Sequence, residues 1–389
     1  MKKTLVVLIM VAFACTFAFA GGEGEASSVK VGYIGPMTGD YANYGVYIGN
    51  GAKLAVDKFN AAGGIDGTPV ELIIEDSEGS PDKGLSAIEK LSSSDHVVAL
   101  VGPVFSGVCN AVGPRCQDEG LLMVTPSGTE KTITSIGDYV FRTIPSDGLQ
   151  SEVAGAYFYQ ELGYTKVGSL YAKNDYSQGL FEGTKSVFES FGGDMSVAET
   201  CQVGDKDFKT QLTKLKSSGV EAIYIPNYTA EMAQILEQAS QVGIDVPFLS
   251  SDGFSNPEIY NLAPEFCDGV IYVGPPQVEL SSAYSDFVSE YNQEFGREPS
   301  SFATASYDAA SLLMQVLTQV YEETGKFDRT AIRDAFASTE GFEGVTGTLA
   351  FDEIGDLIAF QGLYKVNGTT PEYLGTYTVV DGELVKVDL

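Results

Sequence analysis

Residues 29–76 read VKVGYIGPMTGDYANYGVYIGNGAKLAVDKFNAAGGIDGTPVELIIED, and they contain the clearest secondary-structure signals of the chain. The apolar run Val29–Ile34 predicts a strand, and a helical pattern follows from about Tyr44 to Ala62. That pattern stops at Gly63-Gly64, and the β-rich run Val70–Glu75 predicts the next strand. A β-α-β unit of this kind founds a parallel sheet with helices on its faces, and ligands collect at the carboxyl ends of such strands.

A motif at the end of the predicted helix resembles a known family. Asp57-Lys-Phe-Asn60-Ala-Ala-Gly63-Gly64-Ile65-Asp66-Gly67 is similar to the D-x-x-N-x-x-G-G-I-x-G signature of the extracytoplasmic solute-binding proteins for branched-chain amino acids. Gly35-Pro-Met-Thr-Gly39 resembles the first binding loop of that family. Glycine suits both places, because it ends a helix in a left-handed conformation and lets backbone approach a ligand.

The resemblance implies the type I periplasmic binding protein fold. This is an α/β architecture of two Rossmann-like lobes, with central sheets of the parallel type, joined by three hinge crossings. The first lobe would comprise residues 29–144 plus 277–356, and the second residues 145–276 plus 357–389. The chain is long enough for two lobes of ordinary domain size, each with its own core.

The first twenty residues have the pattern of a signal peptide. Lys2-Lys3 is a positive start, Leu5–Ala14 is apolar but too short to span a bilayer, and Ala18-Phe-Ala20 is a cleavage pattern. Residues 21–28 would then form a flexible polar spacer. Lipid anchoring at Cys15 is the alternative, although a phenylalanine two residues earlier fits a lipobox poorly. Either interpretation predicts a periplasmic or otherwise extracytoplasmic protein.

Charge and motif content exclude several classes of function. The formal net charge is −30, and such a surface repels phosphate backbones, so nucleic acid is not an expected partner. The single histidine, His96, falls in the apolar run His96–Val101 and is interpreted as structural. The chain has no HExxH, CxxC, P-loop or dinucleotide-binding pattern. We therefore expect no enzyme activity, no cofactor and no metal.

Four cysteines remain after the predicted cleavage, namely Cys109, Cys116, Cys201 and Cys267. An even number in an exported protein favours disulfides. Three pairings are possible, and we favour Cys109–Cys116 with Cys201–Cys267, because each pair then stays within one lobe. The first pair requires a break near Gly113-Pro114, since seven residues along one continuous helix would separate the α-carbons by roughly 10 Å.

A free amino acid needs a site that neutralises its carboxylate. The resemblance assigns this role to the hydroxyls of Ser106 and Thr129, assisted by backbone N–H groups around Ser127 and Gly128. Both segments follow predicted strands and so reach the same sheet edge, where small hydroxyl residues and bare N–H groups can hold a carboxylate. Without the resemblance, serine and threonine in turns are commonly local caps.

The remaining site residues also follow from the resemblance. Asp252 corresponds to the acidic residue that faces the ligand ammonium, although many relatives carry glutamate there, and Tyr228 to a tyrosine beside it. Tyr44 and Tyr176 correspond to the side-chain pocket, one from each lobe. No charged residue occupies these pocket positions, which favours leucine, isoleucine or valine as the ligand.

The expected partners are the permease and ATPase of an ABC importer, with the protein itself a monomer. Two alternatives stay open within the class of ligand-binding proteins. The ligand could instead be a short amide or an aromatic acid, or the protein could sense a ligand for a membrane receptor.

Overall fold

The computed structural model describes residues 28–276 and 281–388. Its strands belong to two sheets and one hairpin. In chain order they are β1 (Val29–Gly35), β2 (Val70–Asp76), β3 (Ala99–Val101), β4 (Leu122–Thr125), β5 (Val140–Arg142), β6 (Val167–Ala172), β7 (Ala198–Cys201), β8 (Ala222–Tyr224), β9 (Phe248–Ser250), β10 (Ile271–Gly274), β11 (Phe342–Gly344), β12 (Gly347–Leu349), β13 (Gln361–Asn367), β14 (Thr370–Val380) and β15 (Glu383–Val387).

The first sheet is parallel throughout, in the order β2-β1-β3-β4-β5. The second has the order β15-β14-β13-β10-β9-β8-β6-β7, in which the last five strands are parallel and β13–β15 form an antiparallel edge. The strand order reverses beside β1 in the first sheet and beside β6 in the second. In open α/β sheets, ligands bind outside the carboxyl ends of strands at such reversals.

Helices cover both sheets. They are α1 (Ala42–Ala61), α2 (Pro81–Lys90), α3 (Ser106–Glu119), α4 (Asp147–Ala156), α5 (Asp175–Ser190), α6 (Lys209–Ser217), α7 (Thr229–Val242), α8 (Glu258–Leu262), α9 (Ser282–Phe295), α10 (Ser301–Thr324) and α11 (Arg329–Ala337). The helices α1 and α10 pack closely where Gly51 meets Ala303. A Cβ on Gly51 would lie 2.1 Å from the carbonyl oxygen of Ala303, so only glycine allows this crossing.

The chain passes between the two sheets three times. It leaves the first sheet after β5 and returns after β10, since α9 packs on α1 and both α10 and α11 reach the first sheet. It leaves again after β12 and ends as β13–β15 in the second sheet. We call the parts packed on the first and second sheets the first and second lobes. The predicted α/β class with parallel central sheets is confirmed, whereas the short β11–β12 hairpin was not predicted from the sequence.

The predicted start of the third strand at His96 is wrong. A π-helical turn, Leu91–Asp95, extends α2, and His96 caps it with a φ of 59°. The side chain is exposed, and the strand begins only at Ala99. The apolar run therefore misplaced the strand start, because a left-handed residue here ends the preceding helix.

The predicted disulfides are also wrong, because Cys109, Cys116, Cys201 and Cys267 are all free and buried. Helix α3 continues through Pro114 without the required break, so its two cysteines stay two turns apart, beyond disulfide reach. The thiol of Cys109 instead donates to the carbonyl oxygen of Pro103 at 3.3 Å, and that of Cys267 to Ala263 at 3.1 Å. Burial raises the pKa of the Cys109 thiol to about 12, which keeps it protonated.

The predicted signal peptide, Cys15 and the spacer up to residue 27 lie outside the described residues. Within the described ranges, no helix combines the length and the apolar character needed to cross a membrane.

Candidate functional site

Two loops at the carboxyl ends of β3 and β4 form the first-lobe wall of the cleft. Ser106 opens α3, and its hydroxyl accepts a hydrogen bond from the backbone N–H of Glu130 at 3.3 Å. The hydroxyl of Ser127 donates to the carbonyl oxygen of Val104 at 2.7 Å. These two hydrogen bonds connect the turn at Ser106 with the turn at Ser127, which the sequence predicts to lie at the same sheet edge.

The loop after β4 is fixed from inside by Thr125. Its hydroxyl donates to Pro103 at 2.7 Å and accepts from the N–H of Gly128 at 2.8 Å. A Cβ on Gly128 would lie 2.5 Å from the sulfur of Cys109, so this residue packs against the lobe interior. The predicted role of the Gly128 N–H is not supported, because that group already has a partner. Thr129 is buried beside it.

Aromatic rings fill the middle of the cleft. The ring of Tyr228 stacks on that of Tyr176 with centroids 5.1 Å apart and lies 4.5 Å from that of Phe105. Tyr44 contacts Phe302 from the first-lobe side, with ring centroids 6.2 Å apart. The cavity left between them is about 10 Å³, which is room for about one water molecule. Its lining residues are Tyr44, Val104, Phe105, Ser106, Ser127, Tyr176, Tyr228, Asp252, Gly253 and Phe302.

Two buried carboxyl groups lie on the second-lobe side. Asp252 accepts a hydrogen bond from the phenol of Tyr176 at 2.6 Å, and its N–H donates to Gln150 at 2.8 Å. The same Gln150 amide donates to Asp147 at 3.4 Å. The second oxygen of each carboxyl, Oδ2, has no hydrogen-bond partner among the described residues.

Burial raises the pKa of both carboxyl groups. For Asp147, loss of water contact is the main cause, and the nearby charge of Asp252 raises its pKa further. For Asp252, burial again dominates, and the hydrogen bonds from Tyr176 and Gln150 offset part of the rise. A cation placed between these two groups would relieve the cost of their charge.

Polar contacts join the lobes around this cavity. Tyr44 bonds to Thr229 at 2.7 Å, and Tyr41 donates to Glu231. Farther out, three more pairs connect the lobes, namely Asn110 with Asp175 at 2.8 Å, Ser255 with Ser301 at 2.8 Å and Lys206 with Asp40 at 3.0 Å. The two walls are therefore in direct contact, and the cleft is closed.

The structure brings six of the predicted residues to one cavity, namely Tyr44, Ser106, Ser127, Tyr176, Tyr228 and Asp252. Phe302 also lines this cavity, and Asp147 is linked to Asp252 through the side chain of Gln150; the sequence reasoning missed both residues. In the sequence, Phe302 looks like an ordinary core residue of a long helix. Asp147 looks like an acidic residue in the first turn of a helix, at the first crossing. The only available signal for Asp147 was its place directly after the turn Pro145-Ser146.

A family model described as periplasmic binding protein matches residues 28–362. The chain belongs to this family. Family membership confirms the resemblance inferred from the glycine-rich motif and implies an extracytoplasmic location. It also places the chain among proteins that bind ligands without transforming them, so the protein is not an enzyme.

Individual relatives agree with this assignment. The chain is 33% identical over 345 residues to the leucine-, isoleucine-, valine-, threonine- and alanine-binding protein of Pseudomonas aeruginosa, covering 88% of this chain and 91% of that one. Leucine-binding protein LivK of Thermotoga maritima matches with a TM-score of 0.83 and 28% identity, over 90% of this chain and 98% of that one. LivJ of Streptococcus pneumoniae, solved in complex with isoleucine, matches with a TM-score of 0.82 and 30% identity, over 93% and 100%.

Proposed function

We propose that this protein captures leucine, isoleucine or valine between its lobes and delivers the amino acid to the permease of an ABC importer. One observation carries the proposal: an aromatic cavity has hydroxyl-bearing turns on one side and the buried carboxyl of Asp252 on the other. These are the groups that a zwitterion with an apolar side chain requires. The names of the Pseudomonas and Streptococcus relatives support the same ligand class.

The ligand carboxylate would bind the hydroxyls of Ser106 and Thr129 and backbone N–H groups near Ser127. Hydrogen bonds to a charged group contribute about 1.5–3 kcal/mol each. Helix α3 begins at Ser106, so its N-terminal dipole adds to the attraction. Gly128 is left out of this set, because its N–H donates to the Thr125 hydroxyl at 2.8 Å, a shorter contact than the 3.4 Å between the Ser127 N–H and the same hydroxyl.

The ligand ammonium would bind the carboxyl of Asp252, which lines the cavity, and the nearby carboxyl of Asp147 would add to the attraction. The rings of Tyr44, Tyr176 and Phe302 would enclose the side chain, and Tyr228 would lie beside the ammonium. Because the present cavity holds about one water molecule, we propose that ligand entry requires the lobes to part about the three crossings. The lobes would comprise residues 29–144 plus 277–356 and residues 145–276 plus 357–389.

We further propose cleavage of a signal peptide after Ala20, delivery to a permease and its ATPase, and a monomeric state. Mass spectrometry of the exported protein tests the cleavage site and distinguishes it from lipid attachment at Cys15. Light scattering after gel filtration tests the monomer. A dimer would contradict that part of the proposal without affecting the ligand assignment.

A thermal-shift screen of the mature protein tests the ligand class. The panel is the twenty amino acids, short amides and aromatic acids, because ligand at a hundred times its dissociation constant stabilises a protein by about 2.7 kcal/mol. We expect shifts for leucine, isoleucine and valine, and their loss in Asp252→Asn, which keeps size but removes the charge. A shift with aromatic acids or amides alone would contradict the proposal.

A further inference from the structure

Arg142 ends β5 and is fully buried. Its guanidinium donates to four consecutive carbonyl oxygens in the loop after β4. This loop contains Thr129, one of the proposed carboxylate-binding residues. The Nη1 atom lies 3.3 Å from Gly128, 2.8 Å from Thr129 and 2.9 Å from Glu130, and Nη2 lies 3.4 Å from Lys131. The Arg142 side chain thus hydrogen-bonds the backbone carbonyl groups of all four residues from 128 to 131.

The same guanidinium is anchored to the third crossing between the lobes. Its Nε donates to Asp356, whose carboxylate also accepts from the hydroxyl of Thr134 at 2.8 Å. The backbone N–H of Arg142 donates to the carbonyl oxygen of Gly355 at 3.2 Å. A Cβ on Gly355 would lie 2.7 Å from the carbonyl oxygen of Val140, so the crossing segment packs directly against β5.

The orientation of the loop follows from peptide geometry. In a trans peptide unit the C=O and N–H bonds point in opposite directions, so carbonyls drawn toward Arg142 turn the N–H groups away from it. The unit between Thr129 and Glu130 has this arrangement: its carbonyl accepts from Arg142, while its N–H donates to Ser106 at 3.3 Å. The guanidinium therefore directs the backbone N–H of Glu130 toward the Ser106 hydroxyl at the wall of the cleft.

We propose that Arg142 is a positioning residue for carboxylate recognition. Asp356, through its ion pair with Arg142, fixes the position of residues 128–131 relative to the third crossing. The inference rests on the proposed function of the cleft. A guanidinium suits the task because its planar fork of five donors reaches several acceptors at once, whereas a lysine ammonium is a single point charge. The loop would contact the ligand, whereas Arg142 would hold the loop in position without contacting the ligand itself.

The test compares Arg142→Lys and Asp356→Asn with the wild type. Arg115→Lys is the matched control, because that arginine lies on the surface of α3 in a pair with Glu119 at 2.6 Å. The first readout, made without any ligand, is hydrogen exchange of the amides of residues 129–131. We expect exchange at least about tenfold faster in both variants, with strand amides and the control unchanged.

The second readout is the ratio of the dissociation constants for leucine and leucinamide. Leucinamide keeps the ammonium and the side chain but lacks the carboxylate. We expect leucine binding to weaken by about ten- to a hundredfold in Arg142→Lys, while leucinamide binding stays near its wild-type value. A purely structural defect would weaken both ligands alike and leave the ratio unchanged.

Wild-type exchange rates and an unchanged ratio in Asp356→Asn and Arg142→Lys would overturn the inference. If Arg142→Lys does not fold, the exchange rates and the leucine-to-leucinamide ratio of Asp356→Asn alone test the inference. If the wild type binds neither leucine nor leucinamide, the proposed function fails. The exchange measurement then still decides whether Arg142 orders the loop.

Discussion

The hydroxyl groups of Tyr44 and Thr229 share a hydrogen bond of 2.7 Å that joins the two lobes. Tyr44 belongs to α1 in the first lobe, and Thr229 opens α7 in the second. The backbone N–H of Thr229 also donates to the same phenol at 3.2 Å, while the Thr229 hydroxyl lies 3.4 Å from the carbonyl oxygen of Gly253. The pocket wall and the closed arrangement of the lobes therefore depend on the same side chain.

Replacing Tyr44 by phenylalanine should favour the open arrangement. The change keeps the ring but removes hydrogen bonds worth about 0.5–1.5 kcal/mol each, so the ratio of closed to open molecules should fall by up to about tenfold per bond. Small-angle scattering of the ligand-free protein should give a larger radius of gyration. Tyr33→Phe is the control, because that phenol bonds to Gly45 within the first lobe at 2.8 Å. Identical profiles for all three proteins would refute this role of Tyr44.

Ligand affinity should rise with pH. Burial raises the pKa of Asp147 and Asp252 above the ordinary value of 3.8, so the free protein retains a proton where an exposed aspartate has lost it. A bound ammonium favours the anions and releases that proton, so affinity increases with pH up to the pKa of the free protein. For the same reason, the stability of the ligand-free protein should decline as pH rises through those raised pKa values.

Calorimetry in buffers of different ionisation enthalpy measures the proton release. Asp147→Asn should reduce the number of protons released and flatten the pH dependence of leucine binding. Asp175→Asn is the control, because that carboxylate pairs with Asn110 at the exposed rim of the cleft. Binding with no proton release and a flat pH profile in the wild type would show that the acid pair does not meet the ammonium.

The same glycine-to-alanine change should have opposite effects in two helices. In α1, a Cβ on Gly51 would collide with Ala303 of α10, so Gly51→Ala should destabilise the protein by about 1–3 kcal/mol or more. In α5, a Cβ on Gly179 would make its nearest contact at an ordinary 3.6 Å, so Gly179→Ala should stabilise by about 0.5–1 kcal/mol. Urea unfolding measures both, and two changes of equal sign would contradict the packing argument.

The four buried cysteines should remain free in the exported protein. A thiol reagent should label none of Cys109, Cys116, Cys201 and Cys267 in the native state, because all are buried and burial raises the thiol pKa of each. All four should react once the protein is unfolded in denaturant without reductant. Fewer than four labelled thiols in that unfolded sample would instead support disulfide formation.

Much of the fold could be predicted because its signals are local. The run from Val29 to Asp76 contains a strand, a helix with a glycine stop and a second strand, and each leaves its own periodicity in the sequence. Ser106 and Asp252 could each be placed at the cleft because each follows an apolar strand, β3 in the first sheet and β9 in the second, and ligands bind outside the carboxyl ends of such strands. The cysteines were misjudged, since composition and export favoured disulfides while the continuity of α3 through Pro114 excludes the Cys109–Cys116 pair.

Local sequence patterns predict two lobes of alternating strands and helices, together with the positions of the hydroxyl and acidic residues at strand ends. Which of these residues meet follows from the folded arrangement. Tyr44 and Thr229 are 185 residues apart, and Arg142 and Asp356 are 214 apart, so no local pattern records either pair. The pairing of Asp147 with Asp252 and the inward turn of Gly128 likewise depend on how separate segments pack. Periodicity reports which face of an element is apolar, whereas contacts across a cleft depend on the packing of whole lobes.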